Sequence, residues 1–221
     1  MSAHATYGLR RYGCVAALLA ASMVTSGCGG GGDDATSMAS ASDCSAVDAP
    51  APSDRTAEPP KAKAPTAAGV VFETNCGSFT VTFDDRSPKT DASVQSLVEG
   101  GFYDGLSFHR AVGDFLIQGG DPLGDGTGGP GYSVDEPPPS GLSYTEGTVA
   151  MAKTDAEPPG RSGSQLLIAV AKDIGLTPDY ALVGKVTDGF DVVKAISELA
   201  PDGEDGAPTT PVVIEKATLE E

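Results

Sequence analysis

The hydrophobic pattern changes character twice in the first third of the chain. Residues 15–24 form a continuous apolar run, and residues 29–68 carry hardly any large apolar side chain. From Val70 onward, short apolar stretches recur between glycines and prolines. That last texture is the one a folded domain needs. Val70-Val71-Phe72 and Phe79-Thr80-Val81 are β-branched and aromatic, and Asn75-Cys76-Gly77 lies between them, which predicts a hairpin over residues 70–83. Ser87-Pro88 supplies an N-cap and a proline at the first helical position, and Val94, Leu97 and Val98 recur at helical spacing. A helix is therefore predicted over 88–99, ended by Gly100-Gly101. Further short strands are predicted at 106–110, 115–119, 148–152, 165–170 and 182–186, a second helix at 190–199 and a last strand at 211–219. Many short strands with two separated helices predict a mainly β domain, a closed antiparallel barrel capped at its ends.

The segments before Val70 read differently. Arg10 and Arg11 precede the apolar run at 15–24, which is too short to span a bilayer as a helix but fits the core of a secretory signal over 1–27. Thr25-Ser26-Gly27-Cys28 resembles the lipobox of bacterial lipoproteins, with Thr25 standing where that motif prefers a large aliphatic residue. The resemblance implies lipidation at Cys28; an ordinary signal with an incidental cysteine is the alternative. Residues 28–68, rich in Gly, Ala, Ser and Pro, are expected to form a disordered, semi-extended linker to a domain at 69–221. With Cys14 inside the signal and Cys28 assigned to lipid, Cys44 and Cys76 remain as a candidate disulfide in an oxidising compartment.

Charge narrows the partners. The formal net charge is −17, and 25 acids against 9 bases fall from Gly69 onward, so the acidity belongs to the domain. Such a chain is not drawn to nucleic-acid phosphates or anionic lipid, and membrane association is expected through the lipid anchor alone. The two histidines do not cluster with cysteines, so no zinc spacing exists and no metal or other cofactor is expected. A monomer is the default expectation.

The candidate chemistry centres on Phe108-His109-Arg110 and Phe115-Leu116-Ile117-Gln118-Gly119-Gly120-Asp121. These segments bring together a guanidinium, an amide and apolar side chains, with no nucleophile beside them. Such a site can hold and polarise a substrate but has little means of breaking a bond. Further along come Gly124-Asp125-Gly126-Thr127-Gly128-Gly129, Val149-Ala150-Met151-Ala152, Gly163-Ser164-Gln165 and Ala181-Leu182-Val183-Gly184-Lys185-Val186. In order and spacing, these motifs resemble the cyclophilins, the peptidyl-prolyl cis-trans isomerases, over nearly all of residues 70–219. The resemblance implies a closed eight-stranded antiparallel β-barrel capped by two α-helices, and a reaction that rotates X-Pro bonds in proline-containing polypeptides.

On that resemblance Arg110 is the catalytic group. Phe115, Leu116 and Leu167 would line a proline socket, with Leu176 and Tyr180 at its rim. Gln118 would bond the peptide backbone, Ala152 and Lys153 would lie where the family pairs with substrate, and Gln165 would stand nearby. The chain departs from the family pattern where Leu166-Leu167 replaces a pair of phenylalanines, where Lys153 replaces a common Asn, and where Gly175 replaces the Trp of many eukaryotic members. A proline-peptide-binding or chaperone module with little turnover is the competing reading, and a structural envelope protein a third. His109 reads as a structural, hydrogen-bonding residue, since isomerisation transfers no proton. The glycines at 124–131 lack the Gly-Lys-Ser/Thr ending of a phosphate loop, and Leu123 and Tyr132 interrupt a calcium-loop pattern.

Overall fold

The protein is represented by a computed structural model that describes residues 44–221. The expected signal and the lipidation candidate Cys28 lie outside the described residues. Eleven strands and two helices follow in chain order: β1 Gly69–Thr74, β2 Gly77–Phe83, α1 Pro88–Glu99, β3 Ser107–Val112, β4 Leu116–Asp121, β5 Val134–Asp135, β6 Thr148–Met151, β7 Arg161–Ser162, β8 Leu166–Ala169, β9 Leu182–Asp188, α2 Phe190–Ser197, β10 Asp205–Gly206 and β11 Val212–Glu220. Eight of the strands run in the order β3-β11-β1-β2-β9-β6-β8-β4, and β4 pairs back onto β3, which closes the sheet into an antiparallel barrel. Closure removes the exposed edges that an open sheet would present. Short β10 pairs with Ala111 and Val112 of β3, beyond the Ser107–Phe108 stretch that β11 pairs, while β5 and β7 form a separate two-stranded sheet.

The first hairpin shows how the pattern fills the barrel. Val70 faces Val81 and Phe72 faces Phe79, both phenylalanines are 1% exposed, and their rings stack with centroids 5.3 Å apart. Gly77 closes the turn at φ +119, a conformation that side chains on L-residues rarely adopt. Helix α1 packs against β11 and β1, burying Val94, Leu97 and Val98, and α2 packs against β2 and β4 through Val192, Val193 and Ile196.

Two local expectations are corrected. Ser87 precedes α1 but its hydroxyl makes no cap bond; the Glu136 carboxylate accepts from the N–H groups of Lys89 (3.2 Å) and Thr90 (2.7 Å) instead. A carboxylate at a helix N-terminus also complements the positive end of the helix dipole, which a hydroxyl does not. The second correction concerns the linker. Residues 44–68 form no helix or strand, yet they lie fastened along the domain. Cys44 is joined to Cys76 by a disulfide. The N–H groups of Ser53 and Ala57 donate to the carbonyls of Pro122 and Pro130, each at 2.9 Å. The Arg55 guanidinium donates to the carbonyls of Phe102 (2.5 Å) and Asp104 (2.7 Å), and Thr66 N–H donates to Gln95 Oε1 (2.7 Å). Disorder was expected because the segment has little apolar surface to bury. Its order comes from a covalent staple and backbone hydrogen bonds, neither of which composition reports.

Candidate active site

The site lies on the outer wall of the barrel, on strands β3, β4, β6 and β8. In β4, Ile117 points into the barrel core while Leu116 and Gln118 point out; in β8, Ile168 points in while Leu167 and Ala169 point out. Strand β6 contributes Ala150 to the outer face, directly opposite Leu167. This is the ordinary two-residue alternation of a strand, with both faces apolar.

Arg110 reaches that wall through an irregularity. Strict alternation would send it to the same side as Phe108, which is 1% exposed in the core. Between them the ladder slips: Phe108 pairs with Gly119 and Arg110 with Gln118, so His109 is the extra residue of a β-bulge. Bulges re-aim side chains next to functional sites. Here the bulge leaves Phe108 and Ala111 inside and turns Arg110 outward to a half-exposed position. His109 is left partly buried, with both ring nitrogens enclosed and neither hydrogen-bonded, and burial lowers its pKa. The expectation that His109 acts as a hydrogen-bonding structural residue is therefore corrected.

A chain of hydrogen bonds fixes the polar groups. Arg110 donates from Nε to Asp205 Oδ1 and from Nη2 to Asp205 Oδ2, both at 2.7 Å, and from Nη1 to Gln118 Oε1 at 3.0 Å. Gln118 Nε2 donates to Gln165 Oε1 (2.9 Å), and Gln165 Nε2 donates to the Gly128 carbonyl (2.8 Å). The bonded carboxylate of Asp205 raises the Arg110 guanidinium above its ordinary pKa, and the same bonds hold the Asp205 carboxyl below the usual carboxylate range. Both groups therefore stay charged across the neutral range.

The apolar residues named from the sequence come together beside this chain. Leu116 and Leu167, each 4% exposed, pack with Tyr144, Ala150, Ala169 and Ile174; Phe115, Leu176 and Tyr180 lean on that cluster and remain partly exposed. Lys153 stands over the Tyr180 ring at 5.4 Å, and the Ala152 N–H donates to the Gln165 carbonyl (2.8 Å), so that N–H is not available to a substrate. Beside Gln118 and Gln165 opens a cavity of about 760 Å³, walled by the glycine-rich loop 126–131 on one side and by Ala152, Lys153 and Glu157 on the other. Asp121 organises that loop by accepting from the N–H groups of Leu123, Asp125 and Gly126, which is turn chemistry. No group of three or more His, Cys, Asp or Glu side chains that could hold a metal ion occurs among the described residues.

Sequence reasoning missed two residues. Tyr144 is fully buried; its hydroxyl donates to the Tyr180 carbonyl (2.6 Å) and accepts from the Tyr180 N–H (2.9 Å), which pins the rim. Burial pushes its phenol up to about 12. Asp205 is the other, and nothing in the local pattern marked it among its acidic neighbours.

The outer wall thus sets a guanidinium and two amides, each fixed by hydrogen bonds, beside an apolar cluster. Residues 69–219 match the family of cyclophilin type peptidyl-prolyl cis-trans isomerases. Peptidyl-prolyl cis-trans isomerase A of Mycobacterium tuberculosis is 39% identical over 171 residues, covering 69% of this chain and 92% of that protein. Peptidyl-prolyl cis-trans isomerase-like 1 of Rhizopus delemar is 37% identical over 142 residues, covering 62% of this chain and 84% of that protein. A cyclophilin type isomerase of Cryptosporidium parvum, crystallised in the presence of the dipeptide Ala-Pro, matches with a TM-score of 0.63 at 29% identity, covering 69% of this chain and 99% of the other. The chain belongs to the cyclophilin-type peptidyl-prolyl cis-trans isomerases, and it is an enzyme of that class.

Proposed function

We propose that this isomerase accelerates X-Pro rotation during the folding of extracytoplasmic proteins, with Arg110 stabilising the twisted bond over the socket of Phe115, Leu116 and Leu167. The observation that carries the reading is the aim of Arg110. The guanidinium is tied by three hydrogen bonds to Asp205 and Gln118, and Gln118 pairs across the sheet with Leu167, which supports this reading.

Rotation about an X-Pro bond crosses a barrier of about 18–20 kcal/mol because amide resonance is lost on the way. At the twisted geometry the prolyl nitrogen becomes pyramidal and gains a lone pair. A fixed N–H donor beside it makes a hydrogen bond that the planar ground state accepts poorly, so the donor binds the transition state selectively. Arginine suits the task because it stays charged and presents its donors in a rigid fork. The socket holds the proline ring still while the preceding carbonyl turns. Gln118 and Gln165 are poised to anchor the peptide backbone, and Lys153 and Tyr180 bound the far rim.

Export and anchoring are supported by the leader, with Arg10, Arg11, the apolar run at 15–24 and Cys28 in a lipobox-like setting. The Cys44–Cys76 disulfide points the same way, since such bonds persist outside the reducing cytosol. On this reading the chain is held by lipid on the outer face of a bacterial cell membrane and works there as a monomer.

The folding role is tested by refolding a substrate protein whose slow phase is limited by proline isomerisation. The purified enzyme should shorten that phase and Arg110→Ala should not; acceleration that survives in the variant would overturn the role of Arg110. Mass spectrometry of the membrane fraction should find a diacylglyceryl adduct on Cys28, and a freely secreted, unmodified chain would overturn the anchor.

A further inference from the structure

We propose that Asp205 is a positioning residue for isomerisation, one that aims the Arg110 guanidinium across the proline socket; the inference rests on the role given to Arg110 above. An arginine side chain carries five N–H donors in a planar fork. Asp205 takes two of Arg110's, through Nε and Nη2, and Gln118 takes a third through Nη1. Two donors are left for a substrate, one on each terminal nitrogen. A bidentate carboxylate fixes the plane of the guanidinium as well as its position, which a single contact cannot do. With Asp205 removed, Gln118 would be the remaining tie on a long side chain that is 38% exposed. The fork would then be free to rotate away from the socket.

The backbone around Asp205 is built to deliver that carboxylate. Strand β10 is two residues long, and its register sets Asp205 opposite Val112 and Gly206 opposite Ala111. Val112 and Arg110 lie two residues apart on one face of β3, so Asp205 is the diagonal cross-strand neighbour of Arg110, within reach of a long side chain. A tight turn feeds the strand: Asp202 adopts φ +52 inside the 3-10 segment Pro201–Gly203. Gly206 must lack a side chain there, because a Cβ would stand 2.8 Å from Pro201 Cγ. The strand brings no apolar side chain to the barrel, and the Asp205 side chain is 54% exposed. Packing does not account for a left-handed aspartate and a close-approach glycine set around two residues. Delivery of an acceptor to Arg110 does.

A half-exposed ion pair with no further role would contribute little to stability and nothing to turnover, and this separates the two readings. The experiment measures turnover of an Ala-Pro test peptide, peptide affinity and thermal midpoint for the purified protein and for Asp205→Ala, Asp205→Asn, Arg110→Ala and the Asp205→Ala/Arg110→Ala double variant, with Glu204→Gln as a control. Asp205→Ala should lower kcat/KM by about 10- to 100-fold, the range expected when a reacting group is displaced by about an ångström. The loss should fall in kcat, with peptide affinity and thermal midpoint close to wild type. Asp205→Asn, which keeps one acceptor, should fall between the two. In the double variant the loss should equal that of Arg110→Ala alone, because a positioning residue has nothing left to position. The Nε–H resonance of Arg110 in the wild type should be sharp and slow to exchange, and it should broaden in Asp205→Ala.

Full activity in Asp205→Ala, beside a loss in Arg110→Ala, would overturn the inference and leave the reading of Arg110 standing. Additive losses in the double variant would overturn it too. Full activity in Arg110→Ala would remove the reading on which it rests, and the inference with it.

Discussion

The barrel interior and the groove wall are made of the same side chains and behave as different materials. Inside, Phe72, Phe79, Ile117, Ile168, Ile196 and Ile214 are at most 1% exposed and belong to one continuous core. Outside, the smaller cluster around Leu116, Tyr144, Ala150 and Leu167 is capped by Phe115, Leu176 and Tyr180, which stay partly exposed. Strands β4, β6 and β8 feed both regions by alternation, so one residue step along β4 separates a core side chain from a socket side chain. The difference lies in what completes the packing. The interior is finished by the protein's own helices, whereas the outer cluster is capped only by the partly exposed Phe115, Leu176 and Tyr180. Burial alone therefore does not identify the site, since Leu116 and Leu167 are 4% exposed. What sets the outer wall apart is the polar chain Asp205–Arg110–Gln118–Gln165.

Adjacent substitutions on β4 should break this comparison most sharply if it is wrong. Ile117→Ala is expected to lose about 2–5 kcal/mol of stability by opening a cavity in the close-packed interior, while the folded fraction keeps its wild-type KM. Leu116→Ala is expected to cost less stability and to raise KM severalfold. Denaturant titration beside peptide kinetics checks both, and an equal rise of KM in the two variants would refute the division. Removing the staple comes next. Cys44→Ser should lower stability by about 2–4 kcal/mol, the usual effect of losing a native disulfide, and leave kcat/KM unchanged, because Cys44 packs against the large core and stands away from the groove.

The third difference is in pH. Asp91 on α1 is 1% exposed, and neither carboxylate oxygen has a hydrogen-bond partner. Burial, with Glu136 and Asp84 adding repulsion, pushes its pKa from an ordinary 3.8 up to about 9. Between those values the unfolded chain has released a proton that the folded chain keeps, so stability is highest below the lower value and falls as pH rises toward the upper one. Asp91→Val should flatten that slope and add about 1–3 kcal/mol near neutral pH by removing a buried, unpartnered polar group; thermal midpoints at pH 5 and pH 8 check it. The groove should not follow. Arg110 is raised and Asp205 is lowered, so the pair stays ionised and kcat/KM should be flat over the same interval.

Most of the architecture was legible in the sequence because period and punctuation carry it. The hairpin at 70–83, the helix from Pro88 to Glu99 and the strands around Arg110, Leu167 and Leu182 stand where alternation, proline and glycine put them. The clustering of Phe115, Leu116, Leu167, Leu176 and Tyr180 was legible only through the resemblance; for Phe115 and Leu116 alone, core packing would have been the natural reading of a strand residue. Three features were not legible, each for a physical reason. The bulge at His109 is a slip in pairing between two strands and leaves no mark in either one alone. Asp205 sits in a two-residue strand, too short to show a period, and one acid among Asp202, Glu204 and Asp205 looks like the next. The order of residues 44–68 rests on backbone N–H groups and one disulfide, while composition reports apolar content.

The most direct test of the account is the exchange rate between the cis and trans forms of an Ala-Pro test peptide at equilibrium, read by NMR with the wild type and with Arg110→Ala at matched peptide occupancy. The account predicts rapid exchange with the wild type. With Arg110→Ala, the peptide should still bind in the socket but exchange on the uncatalysed scale of about tens of seconds or longer. Rapid exchange that persists in Arg110→Ala would contradict it.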